Sequence, residues 1–137
     1  MAVGVDSGTN SLTGGQVDIT DNSAVTVAVV ALAAGARCGG TITYTIEATD
    51  AGGDHQSLSG QVQFAAVNKG GVYTTSIAED AVQGSALSAG TLTDTWTITT
   101  GASLINVQLN ANSSLTPTTL RVQLQVQECT GAVVTVQ

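Results

Sequence analysis

The chain has 137 residues, of which 42% are hydrophobic and 9% charged, with a formal net charge of −7. Its three cations, Arg37, Lys69 and Arg121, are too few for the basic face that nucleic acid or an anionic membrane surface requires, so neither is expected as a partner. At this length one domain buries roughly two thirds of its unfolded surface, so neither a metal nor a disulfide is needed to hold a core.

Polarity comes instead from Thr, Ser, Gln, Asn and Gly. Thr is β-branched and suits a pleated surface, whereas Lys and Glu suit it poorly. Such a surface carries little charge to repel close neighbours. The N-terminal residues Met1 to Asp6 contain no basic stretch, so no signal peptide is expected, and the protein is expected to be made and to remain in the cytoplasm or to leave by lysis.

Residues 1–23 are rich in Gly, Ser, Asn and Asp and read as an extended N-terminal arm with at most one short strand, over 16–20. A domain over 24–137 follows. Its first segment, 24–36, has enough Ala for a helix, but Val25, Val27, Val29 and Val30 favour a buried strand. Residues 41–48 alternate strictly, with Ile42, Tyr44, Ile46 and Ala48 on one face and three Thr and Glu47 on the other. A period of two means one face buried and one solvated.

The turn residues of 50–54 break this strand, and 61–66 alternates again. A turn at 69–71 leads to a strand over 72–77, and 79–90 reads as a long loop. Further alternating strands are expected over 91–99, 104–110 and 119–127, with Ala111–Pro117 as a loop and 132–136 closing the fold. The result is an all-β chain of about seven to nine strands, an antiparallel two-sheet sandwich or a jelly roll. Ile42, Tyr44, Ile46, Phe64, Ile98, Val107, Leu120, Val122 and Leu124 are its expected core.

No constellation of catalytic residues stands out, and an enzyme is not expected. His55, the single histidine, lies in a polar loop with no nucleophile identifiable beside it. Asp50 and Asp54 flank two glycines, but they lack the spacing of a calcium loop and serve equally as turn formers, so no metal or other cofactor is expected. Glu79 and Asp80 are chain neighbours that point to opposite sides of an extended backbone. Asp94 shares a strand face with Leu92 and Trp96, which leaves three readings: a partner such as Arg121, a place at the rim, or an interface. Cys38 and Cys129 are too few for a disulfide framework or a zinc site; a single bridge between two sheets is the alternative to the expected pair of reduced, half-buried thiols.

The segment Ala111-Asn112-Ser113-Ser114-Leu115-Thr116-Pro117-Thr118-Thr119-Leu120-Arg121, running into an alternating strand, resembles small β-rich virion proteins of tailed bacteriophages, of the capsid decoration (cement) or head and tail accessory kind. Tyr44 to Asp50 and Ala65 to Gly71 share the likeness, which spans about residues 40–127. The resemblance implies a β-sandwich that binds and stabilises a capsid or other virion surface. It also implies a homo-oligomer, with a trimer favoured, whose partner is the major capsid protein or another virion protein. An extracellular Ig-like module of carbohydrate-binding or adhesin type, and a phage tail accessory subunit, are the alternatives.

Overall fold

The computed structural model describes residues 11–80 and 83–137. Ten strands are formed among them: β1 (Ser11–Asp18), β2 (Ser23–Ala31), β3 (Arg37–Asp50), β4 (His55–Lys69), β5 (Val72–Glu79), β6 (Gly84–Leu87), β7 (Leu92–Gly101), β8 (Leu104–Ser113), β9 (Pro117–Glu128) and β10 (Val133–Val136). They make two antiparallel sheets, so the all-β, two-sheet reading holds and the strand number is slightly higher than expected. Sheet A has the order β1-β9-β3-β4-β5, with β6 also on β4; sheet B has the order β10-β2-β8-β7.

The core lies between the sheets and follows the alternation. Ile42, Tyr44, Ile46 and Ala48 of β3 and Leu120, Val122, Leu124 and Val126 of β9 are buried against Val107, Leu109, Val30 and Trp96 of sheet B. Of the expected core residues only Ile98 departs, being half-buried because β7 is the outer strand of sheet B and its far end is covered on one side alone.

Four local features differ from what the alternation suggests. The first strand begins at Ser11 rather than Gln16, and it pairs with β9 from Ser11↔Glu128 to Asp18↔Arg121. Gly14 and Gly15 hide it from pattern reading because they carry no side chain. Gly15 is there for space: a Cβ on it would lie 2.8 Å from Cγ1 of Val136, where β1 meets β10 at the seam of the two sheets. Of the arm expected over 1–23, residues 1–10 lie outside the described part.

A bulge in β2 between Thr26 and Ala28 resets its phase, so Val27, Ala28 and Val30 are all buried. The expected loop over 79–90 contains β6. The long strand β4 pairs with β5 through Val62 to Lys69 and with β6 through Gln56 to Ser59, so two short strands lie end to end along one edge. Residues of the expected loop 111–117 extend β8 to Ser113 and begin β9 at Pro117.

Candidate interaction surfaces

The first chemistry-bearing group sits between the sheets. Tyr44 projects inward from β3 and Trp96 inward from β7, with ring centroids 4.8 Å apart. Asp94, two residues before Trp96 and on the same face, accepts the Tyr44 hydroxyl at 2.5 Å and the Trp96 indole N–H at 3.0 Å. Gln83 donates its amide to the other Asp94 oxygen at 3.0 Å and to the Tyr44 oxygen at 2.8 Å. Arg121, expected as a partner for Asp94, points to the outside of sheet A and pairs with Glu47 at 2.9 Å. Strand parity is the reason: Arg121 alternates with the inward Leu120 and Val122.

Burial and then the Asp94 carboxylate push the Tyr44 hydroxyl well above its ordinary value. Glu79 is also raised, first by burial and then by Asp94, against the opposing pull of the Trp96 backbone N–H. Gly60, opposite Tyr44 in the β3–β4 ladder, makes room for the ring, since a Cβ there would stand 2.7 Å from the hydroxyl oxygen. The group is an inter-sheet clamp whose Tyr44 and Trp96 donors are both satisfied by Asp94, with its Gln83 side exposed.

A second carboxylate closes the β9–β10 turn. Glu128 is fully buried and accepts backbone N–H groups from Thr130 at 2.8 Å, Gly131 at 2.6 Å, Ala132 at 2.8 Å and Gly39 at 3.4 Å, as well as the Thr130 hydroxyl. Burial alone would raise its titration point, but the Thr130 and backbone donors outweigh it and hold the carboxyl below the ordinary range. Two buried amides complete the internal polar set. Gln56 donates to the Ala89 and Thr91 carbonyls and accepts the Ser113 hydroxyl; Asn68 donates to the Leu32 carbonyl and accepts the Gly71 N–H.

The other residues singled out from the sequence are dispersed. His55 opens β4 and hydrogen-bonds through Nδ1 to the Thr49 hydroxyl at 3.0 Å. Asp50 accepts the Asp54 N–H within the β3–β4 hairpin, and Asp54 accepts the hydroxyl of Ser88, just after β6, so both carboxylates are used in local structure. Among the described residues no three His, Cys, Asp or Glu side chains cluster so as to hold a metal ion. No helix of the described chain is long and apolar enough to cross a membrane.

Cys38 and Cys129 are free, the first buried and the second exposed, so the half-buried expectation holds for neither. The Cys129 N–H donates to the Gly39 carbonyl at 2.9 Å, continuing the β9–β3 ladder. Alternation then turns Cys38 inward and Cys129 outward. Side chains on opposite faces of one sheet cannot be bridged without moving the backbone. Burial and then the nearby Glu128 charge push the Cys38 thiol up to about 11.

Two outward faces remain. That of sheet A carries Gln123, Gln125 and Gln127 of β9 beside Thr41, Thr43 and Thr45 of β3, and Gln61 and Gln63 of β4. A shallow groove of about 570 Å³ crosses it over Gly14 and Gly15, lined by Gln16, Thr43, Thr45, Gln123 and Gln125. A second depression of about 500 Å³ lies by Thr41, Gln63, Ala65, Ser76, Ala78 and Cys129. Charge enters this face through Asp18, Arg121 and Glu47, which stand in one row across three strands, and through Arg37 and Lys69 at one end of β3 and β4.

The outward face of sheet B is different in kind. Thr93, Thr95, Thr97 and Thr99 of β7 face Asn112, Asn110, Gln108 and Asn106 of β8. Thr26, Val29 and Ala31 of β2 and Val133 and Thr135 of β10 continue the rows. The four strands contain one charged residue, Asp94, and it points inward.

No family model and no curated protein matches the chain. Among solved structures it is similar to the tailspike protein of Acinetobacter baumannii phage AM24, with a TM-score of 0.54 at 8% identity, covering 89% of this chain and 26% of that one. It also aligns with the tailspike of Acinetobacter phage vB_ApiP_P1, with a TM-score of 0.45 at 20% identity, over 93% of this chain and 22% of that one. The chain therefore spans about a quarter of the length of these proteins. At such identities the first likeness establishes a shared β-sandwich architecture.

Proposed function

We propose that the chain is a structural protein of a phage virion, seated on the particle surface and stabilising it without enzymatic chemistry. The observation that carries this reading is the fold likeness to a segment of a phage tailspike across 89% of the chain. The surface supports it: sheets faced with Thr, Asn and Gln lose less on desolvation than a Lys- and Glu-covered surface would. Within the virion, a tail position draws support from that same likeness. Decoration of the capsid, with the major capsid protein as partner, draws support from the resemblance of the 111–121 segment to decoration-type proteins.

Gold-labelled antibody against the chain, applied to particles from its source and viewed by electron microscopy, separates these readings. Label on the tail supports the tail accessory position; label spread over the head supports capsid decoration. Particles that carry no label, and a chain that never co-sediments with them, overturn the virion reading and favour an extracellular Ig-like binding module.

A further inference from the structure

We infer that the outward face of sheet B is the surface through which copies of this chain pack against one another. Charge is the first argument. The chain carries −7, so two copies repel wherever their charged surfaces meet. Arg37, Glu47, Asp50, Asp54, Lys69, Asp80 and Arg121 all lie on sheet A or its loops. The strands of sheet B place no charge on their outward side, so two copies meeting there bring no like charges together and bury no unpaired ion.

The second argument is the edge. β7 is an outer strand of ten residues in which neither Lys nor Pro occurs, and beside the Trp96 N–H that Glu79 of β5 takes, it carries no charged or proline guard of its own. A four-residue strand, β10, forms the opposite edge, so the long outer strand without Lys or Pro and the charge-free face belong to the same sheet. The third argument is size. With about 3.3 Å per residue and 4.8 Å between strands, strands of 10, 10, 9 and 4 residues offer about 520 Å² per copy, or about 1,050 Å² for a pair, which just reaches the roughly 1,000 Å² that a specific contact needs. At one corner Leu104 and Val133 are exposed, 41% and 67%, beside Ala31, which gives the contact an apolar anchor. The Thr and Asn rows supply neutral donors and acceptors that pair across such a contact.

This inference holds for a tail or a capsid position alike and is tested without particles. Analytical ultracentrifugation of the intact chain should show a multimer, whose mass gives the copy number. Thr95→Lys with Thr97→Lys puts two like charges at the middle of the face and should weaken self-association about tenfold or more. Gln125→Lys, on the outward face of sheet A, should leave it unchanged. Circular dichroism must show an unchanged β spectrum; if the double variant does not fold, the single variant Thr97→Lys serves in its place. A parent chain that is monomeric up to its solubility limit overturns the inference. So does a multimer indifferent to the sheet B lysines, or one dispersed equally by Gln125→Lys. Since none of these results bears on particle attachment, failure here is separable from failure of the virion reading.

Discussion

Asp94 and Glu128 are two carboxylates held inside the same sandwich by opposite means. The donors to Asp94 are side chains, and its Tyr44 partner is 50 residues away on the other sheet. The donors to Glu128 are chiefly backbone N–H groups two to four residues along the chain, with Gly39 added across the ladder. Asp94 fastens sheet to sheet and can be loosened while each sheet stays whole. Glu128 holds a turn whose N–H groups have no other acceptor, so its loss strikes the backbone that carries the chain from sheet A to sheet B. A buried donor left unsatisfied costs more than a bond that water can replace.

The contrast can be broken most decisively at Glu128. Glu128→Ala removes a fully buried carboxylate and leaves the N–H groups of Gly39, Thr130, Gly131 and Ala132 without their acceptor, and should cost about 2–5 kcal/mol in denaturant unfolding. A loss within the range of an ordinary surface change would show that water reaches the turn. Asp94→Ala should cost less, about 1–3 kcal/mol, because the Gln83 side of the clamp is open to water. Should it cost as much as Glu128→Ala, the clamp is as closed as the turn and the distinction fails.

Titration sharpens the comparison further. Glu128 has its folded value below the ordinary 4.5, so its contribution is present above that pH and is lost as pH falls through the lowered folded value. Tyr44 has its folded value above the ordinary 10, so its contribution is present below pH 10 and is lost as pH rises towards the raised value. Stability measured against pH should fall at both extremes. Glu128→Gln should flatten the acid limb alone, and Tyr44→Phe should diminish the alkaline limb alone, leaving whatever Cys38 adds. An acid limb unchanged by Glu128→Gln would mean that other carboxylates carry it. The smallest effect is Tyr44→Phe at neutral pH, which removes one hydroxyl donor and should cost about 0.5–1.5 kcal/mol by thermal unfolding.

What could be read in the sequence follows the same division. The strands over 41–48 and 119–127 were legible because each has one buried and one solvated face, and alternation records that directly. The inward position of Asp94 was legible from its spacing to Leu92 and Trp96. Its partners were not, because Tyr44 and Gln83 reach it through the pairing of two sheets, which no local pattern encodes. Arg121 was the natural candidate by charge, and parity placed it on the far side. Strand β6 was missed because Gly84–Leu87 has no buried face to impose a period: all four residues are exposed, and pairing with β4 alone holds them extended. Gln56 and Glu128 gave no warning of burial, since a polar residue at the end of an alternating run reads as solvent-facing until its acceptors or donors are located.

The opposed facing of the two cysteines has a practical consequence. Cys129 offers one accessible thiol on the sheet A side, while Cys38 is buried with its titration point raised to about 11, so it stays protonated and shielded at neutral pH. Brief treatment with a maleimide reagent should modify Cys129 and spare Cys38, which peptide mass mapping would verify. A single dye or gold cluster placed there becomes an orientation marker. It would report which way the sandwich faces on whatever carries it, without an engineered residue and without touching the charge-free side.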